Sequence, residues 1–234
     1  MGAFDRALER RDAARLDRVM RRLRRAGLNA FAVTGGVALA LQMEPGPERR
    51  RLNDLDLVIP CLQAFPPAAE AGLLVNHIHP DAQPGRLLVQ LVDPLERLRI
   101  DVFGAVGDSL RRAKRLDSWL SVLAIEDLLA RIVRGLLSLD KGEVPAKLAA
   151  DFDRLGDQTS LRCVQAAWRD HRPADAPETF ADAAALARAL IDAHPGRLIV
   201  ESYVQARWRC PRCADGPGFP LASEDRILAA IGYL

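Results

Sequence analysis

The stretch DLDLVI, residues 54–59, decides the fold. Successive side chains of an extended chain point to opposite faces, so Asp54 and Asp56 share one face while Leu55 and Leu57 share the other. Two like charges on one face of a strand repel each other unless a cation lies between them. A hard divalent ion with oxygen ligands, Mg²⁺ above all, meets that need. A D-x-D pair also occurs on solvated surface, so the segments on either side determine how it is read.

Upstream lies FAVTGGVALALQM, residues 31–43. Residues 31–34 read as a short buried strand, Gly35-Gly36 as a tight turn, and residues 37–43 as a short apolar helix. Free N–H groups at the start of a helix bind phosphate, and glycine lets the phosphate approach closely. A Gly-Gly pair also serves as a plain turn. Downstream, RLRIDVF from residue 97 puts Asp101 on another strand between apolar Ile100 and Val102. LLVNHI from 73 and RLLVQLV from 86 supply two further strands.

Residues 5–26 predict a helix, with Leu16, Val19, Met20 and Leu23 at helical spacing, arginine at many other positions and Gly27 as the stop. EPGPERRR, residues 44–51, reads as a loop. From residue 124 onward IEDLLARIVRGLLSLD, VPAKLAADFDRLGD, SLRCVQAAWRDH and TFADAAALARALIDAH are helical runs separated by breakers. The expected class is α+β, a small mixed β-sheet with flanking helices followed by a helical C-terminal region. The expected domains are 1–120, carrying the basic helix and the sheet, and 121–234, with the polar stretch Lys114 to Ser121 at their junction.

Composition is that of a globular chain: 234 residues, 49% hydrophobic and 27% charged. No apolar run reaches the ~18 residues of a membrane span. The N-terminus lacks a signal-peptide pattern, so a cytoplasmic chain with reduced thiols is expected. Residues 1–51 hold 12 arginines against 6 acids, while the remainder holds 21 basic residues against 25 acids. That asymmetry fits a polyanion-facing surface or a solvated helix equally well.

Strand, Gly-Gly, helix, D-x-D strand and later lone Asp, taken in that order, resemble the polymerase-β-like nucleotidyltransferase superfamily. TGGVALALQ, RRLNDLDLVI and RIDVF carry the likeness over roughly residues 28–155. The apolar helix after the glycines, the basic residues before the Asp pair and the IEDLLARIV segment look most like the abortive-infection-type, toxin-like members. The resemblance implies that Asp54 and Asp56 ligate two Mg²⁺ ions and that Asp101 ligates the catalytic ion or acts as base. It also implies that Gly35 and Gly36 hold the triphosphate of an NTP. Gly36 stands where many members have serine, and EPGPERRR lengthens the gap before the Asp pair. A lysine after the sheet, Lys141 or Lys147, would assist the phosphates or simply end a helix in solvent.

Arg49, Arg50 and Arg51 precede the Asp pair, where they meet triphosphate or a nucleic-acid acceptor, or form a solvated loop. The acceptor hydroxyl is open between RNA such as a tRNA 3′ end, a protein and a small molecule, and an antitoxin-like protein partner is a property of toxin-type members. Cys210-Pro-Arg-Cys213 has the spacing of half a zinc site. Cys61, Cys163, His77, His79, His171 and His194 offer no partner spacing, so a metal-free thiol pair is the preferred reading. Two rival functions remain: a metal-dependent glycosyltransferase, which uses D-x-D without the Gly-Gly turn or Asp101, and a non-catalytic nucleic-acid-binding module.

Overall fold

The structure, a computed structural model, describes residues 2–43, 52–79, 82–139, 144–156, 159, 161–193 and 219–232. It divides into two compact units, one within Met1–Ala105, Ala113–Leu123 and Val204–Leu234, the other within Val106–Arg112 and Ala124–Tyr203.

The first unit is built on a sheet of seven strands: β1 (Ala32–Thr34), β2 (Asp54–Ile59), β3 (Leu74–Ile78), β4 (Leu87–Asp93), β5 (Leu98–Gly104), β6 (Lys114–Arg115) and β7 (Ser121–Val122). Their order across the sheet is β3-β4-β5-β2-β1-β7-β6. β2 runs parallel to β5 and β1 parallel to β7, while the other neighbours are antiparallel, so the sheet is mixed as expected. The alternation read in DLDLVI holds, with Leu55 and Leu57 fully buried and Asp54 and Asp56 half-buried. Ile100 and Val102, either side of Asp101, are likewise in the core.

Among the described residues three α-helices belong to this unit. α1 (Arg10–Arg25) buries the stripe Leu16, Val19, Met20 and Leu23 and ends at Gly27, whose φ of 110° is open to glycine but not to most residues. It begins five residues later than the periodicity suggests, because residues 3–7 form turns. Its arginines are tied to the turn between β4 and β5: Arg18 pairs with Glu96 at 2.6 Å, Arg22 with Asp93, and Arg15 donates to the Glu96 carbonyl at 2.6 Å. Asp12 of the same helix accepts the backbone N–H of Leu52 at 2.9 Å, fixing the chain just before β2.

α2 (Gly35–Gln42) packs on β1 and β2. The two glycines are the first residues of this helix, not a separate turn ahead of it. A helix outside the predicted set, α8 (Glu224–Ile231), packs on β3 and β4 after an isolated parallel bridge from Leu221 to Val75. The polar stretch 114–121 supplies the edge strand β6 and the start of β7, which lies between β6 and β1; the sequence reading contained neither strand.

The second unit is helical: α3 (Ser109–Arg112), α4 (Ile125–Leu137), α5 (Ala146–Gly156), α6 (Leu161–His171) and α7 (Phe180–Ala193). α4 is the element on which α5, α6 and α7 pack. Trp168 is fully buried against the edge of Phe180, with ring centroids 6.1 Å apart, and its Nε1–H donates to the Pro177 carbonyl at 2.9 Å. At the start of α4 the buried Asp127 takes a two-point bond from Arg112, at 2.9 and 2.8 Å, and lies 2.9 Å from His171 Nε2. Burial by itself would raise the Asp127 carboxyl; the hydrogen bonds from Arg112 and His171 outweigh it and hold the group below the usual carboxylate range. His171 is shifted down, because burial disfavours its charged form by more than Asp127 favours it.

Candidate metal centre on the sheet

The register of the sheet lines up one polar side chain from each of five strands. Thr34 on β1 is paired with Asp56 on β2, Asp56 with Asp101 on β5, Asp101 with Gln90 on β4, and Gln90 with His77 on β3. Directly paired residues present their side chains on the same face, so these five form a row across the sheet. Asp54 and Arg99, paired two residues before Asp56 and Asp101, extend it on the same face.

Asp54, Asp56 and Asp101 each bring a carboxylate oxygen within 4.8 Å of the others. Two of them come from β2 and one from β5, and it is the parallel pairing of these strands that makes them neighbours. Three hard oxygen donors on a rigid central pair of strands suit Mg²⁺ or Mn²⁺ and do not suit a soft metal. The backbone beside them is shaped to fit. Gly35 has φ of 62°, and a Cβ placed there would stand 1.9 Å from Asp56 Oδ2 and 2.9 Å from its Cγ. The Asp56 carboxylate therefore occupies the space that any other residue at 35 would fill. Together, the donor chemistry and this cradle satisfy what a divalent cation requires.

Asp101 is 8% exposed and is oriented from the side away from β2. Gln90 Nε2 donates to Asp101 Oδ1 at 2.9 Å, and Asn76 Nδ2 donates to Gln90 Oε1 at 2.6 Å. Asn76 is the extra residue of a β-bulge between Val75 and His77, which turns its side chain toward Gln90. All three side chains are buried, so the relay fixes Asp101 in one rotamer. His77, at the end of the row, is pushed down by burial and by the neighbouring His79, whose ring meets it edge-on at 6.3 Å. On the other flank Arg99 Nη2 donates to Asp54 Oδ2 at 2.6 Å, and its Nε lies 3.3 Å from Asp101 Oδ2.

Of the residues singled out by sequence, Asp54, Asp56, Asp101 and Gly35 meet at this place, with Gly36 next to Gly35 in the first turn of α2. Lys147 is exposed on α5 of the second unit. Arg49, Arg50, Arg51, Lys141, His194, Cys210 and Cys213 lie outside the described residues. Cys61 and Cys163 are exposed free thiols. Sequence reasoning passed over Thr34, Asn76, Gln90 and Arg99. The signals were faint but present: Gln90 is a lone amide inside the apolar run LLVQLV, and Arg99 stands two residues before Asp101, hence on its face.

No family model matches the chain, and no curated protein matches it. Among solved structures it is similar to a crystal structure of an H. pylori protein described, provisionally, as a nucleotidyltransferase. That likeness spans 80% of this chain and 97% of the other, at 12% identity and a TM-score of 0.31. Likeness this loose adds nothing to what the side chains say. Among the described residues no helix is long and apolar enough to cross a membrane.

Proposed function

We propose that the chain is a divalent-metal-dependent nucleotidyltransferase, which moves a nucleoside monophosphate from an NTP to an acceptor hydroxyl and releases pyrophosphate. The observation that carries this reading is the convergence of Asp54, Asp56 and Asp101 within 4.8 Å, beside Gly35 at the start of α2. Mg²⁺ bound there, one ion or the pair that the motif resemblance implies, supplies charge neutralisation and polarises phosphate oxygens. Asp54 and Asp56 would hold it from β2, and Asp101 from β5.

The remaining work belongs to the chain itself. Gln90 engages Oδ1 of Asp101, which leaves Oδ2 on the side facing Asp54 and Arg99. Oδ2 takes the proton of the acceptor hydroxyl as its oxygen bonds to the α-phosphorus; the α–β phosphoanhydride bond breaks and its electron pair leaves with pyrophosphate. The backbone N–H groups at the start of α2 would receive the triphosphate, and Thr34, the residue just before them, makes no side-chain cap hydrogen bond there. Rate enhancement comes from positioning and charge stabilisation.

The motif order favours an abortive-infection-type enzyme, and the basic excess of residues 1–51 favours RNA, such as a tRNA 3′ end, as acceptor. An antitoxin-like partner would accompany that type. The test is incubation of the protein with each labelled NTP, Mg²⁺ and total RNA, with protein and aminoglycosides as alternative acceptors. Label should enter one acceptor class with wild type and not with Asp56→Asn or Asp101→Asn. No transfer to any acceptor from any NTP would reject the reading.

A further inference from the structure

We propose that Arg99 is a built-in counter-ion of the carboxylate triad: it competes with the divalent metal for Asp54 and Asp101, so that metal binds well only together with the nucleotide. This inference rests on the nucleotidyltransferase reading above and concerns how that site is loaded. Its basis is the position of the guanidinium. Arg99 reaches Asp54 Oδ2 at 2.6 Å with Nη2 and Asp101 Oδ2 at 3.3 Å with Nε, bridging carboxylates from two strands. These are two of the three groups that form the candidate metal site.

The bridge follows from the register. Asp54 is the direct cross-strand partner of Arg99, and Arg99 and Asp101, two apart on β5, share a face. Three carboxylates with their oxygens within 4.8 Å repel strongly, and a guanidinium between Asp54 and Asp101 relieves that repulsion at two of them. A planar fork suits two carboxylates at once, which an ammonium does not.

Metal entering the triad must break at least one of these contacts and then face the positive charge of Arg99. If the bridge is populated about nine-tenths of the time, apparent metal affinity falls about tenfold. The triphosphate reverses the balance. With an NTP in place the displaced guanidinium has phosphate oxygens to bond, again in the two-point geometry that arginine favours. The side chain is 19% exposed, so it is within reach of solvent rather than sealed in the core. Metal and nucleotide thus bind with positive coupling.

Calorimetry with Mn²⁺ alone, on wild type and Arg99→Gln, reads the competition without any turnover. Arg99→Gln should bind Mn²⁺ about tenfold more tightly than wild type, whereas Arg99→Lys, which keeps the charge but lacks the planar fork that bridges two carboxylates, should fall between the two. Adding a non-hydrolysable NTP should tighten Mn²⁺ binding in wild type more than in Arg99→Gln. Equal or weaker Mn²⁺ binding by a folded Arg99→Gln, while wild type binds the metal, overturns the competition and leaves the metal site standing. Absence of Mn²⁺ binding in both proteins removes the site and the inference with it. A measurement on wild type alone guards against a variant that fails to fold: the Arg99 Nε–H resonance should shift on titration with Mg²⁺. A resonance unmoved at saturating Mg²⁺ also overturns the proposal.

Discussion

Replacing Gly35 by alanine tests whether the backbone at the start of α2 is what allows Asp56 to serve as a metal ligand. A Cβ at this position would lie 1.9 Å from Asp56 Oδ2. The oxygen must retreat by the 1.5 Å that separates this from 3.4 Å, where ordinary contact begins. Ligand distances tolerate only about 0.2 Å, so Asp56 can no longer share an ion with Asp54 and Asp101. Losses of about 10- to 100-fold in metal affinity are usual when the groups that orient a ligand are disturbed, and a similar loss of Mn²⁺ affinity is expected here. The backbone adds its own cost, since φ is 62° and an L-residue in the left-handed region costs about 1–2 kcal/mol. In a chain of this size that lowers Tm by about 2–8 °C.

A double-mutant cycle separates the two effects. Asp56→Ala removes the carboxylate clash and leaves only a tight 3.2 Å contact between the two Cβ atoms, so adding Gly35→Ala to it should lower Tm by the backbone strain and that contact but leave Mn²⁺ affinity where Asp56→Ala put it. The measurements are calorimetric Mn²⁺ titration and thermal unfolding followed by circular dichroism. Wild-type Mn²⁺ affinity in Gly35→Ala would refute the reasoning, as would an undiminished loss in the Asp56→Ala background.

Other perturbations follow from the same geometry. Asp54→Asn and Asp56→Asn should weaken Mg·NTP binding and transfer together, whereas Asp101→Asn should keep most nucleotide affinity and lose turnover, and calorimetry beside the transfer assay tells these apart. Gln90→Leu leaves Asn76 Nδ2 and Asp101 Oδ1 without the partners they have at 2.6 and 2.9 Å; it should cost about 1–3 kcal/mol in denaturant unfolding, and no change in midpoint would show the relay to be idle. Asp127→Ala strips the half-buried Arg112 and the buried His171 of their shared partner, while Arg112 keeps Asp170 at 2.7 Å, and should destabilise the second unit by about 1–3 kcal/mol, read by hydrogen exchange in α4 and α6. His171 binds its proton less readily folded than unfolded, where the ordinary value is 6.5. Between the lowered folded value and 6.5 the unfolded chain holds more protons, so stability rises with pH there and falls on acidification. Further loss follows as pH drops through the lowered value of Asp127. His171→Gln should flatten the first of these slopes, and an unchanged slope would assign it to another group.

Period-two alternation is a local property, and it made much of the first unit legible in advance. DLDLVI and RLRIDVF announced which side chains face the core, and Leu55, Leu57, Ile100 and Val102 are buried there while Asp54 and Asp56 are not. The helical stripe of Leu16, Val19, Met20 and Leu23 was legible for the same reason. Alternation does not say which strands become neighbours. Tertiary pairing alone set β2 parallel to β5, matched Asp56 to Asp101 and Asp54 to Arg99, and turned a D-x-D and a distant Asp into one cluster with a guanidinium across it. The bulge that aims Asn76 at Gln90 likewise depends on the pairing of β3 with β4, and the place of β7 in the sheet on its pairing with β1, far earlier in the chain. A Gly-Gly pair in sequence permits a turn, a phosphate loop or a helix start with equal ease. Only the approach of β2 to β1 made Gly35 obligatory, because the pairing of Thr34 with Asp56 brings a carboxylate to where a Cβ would be.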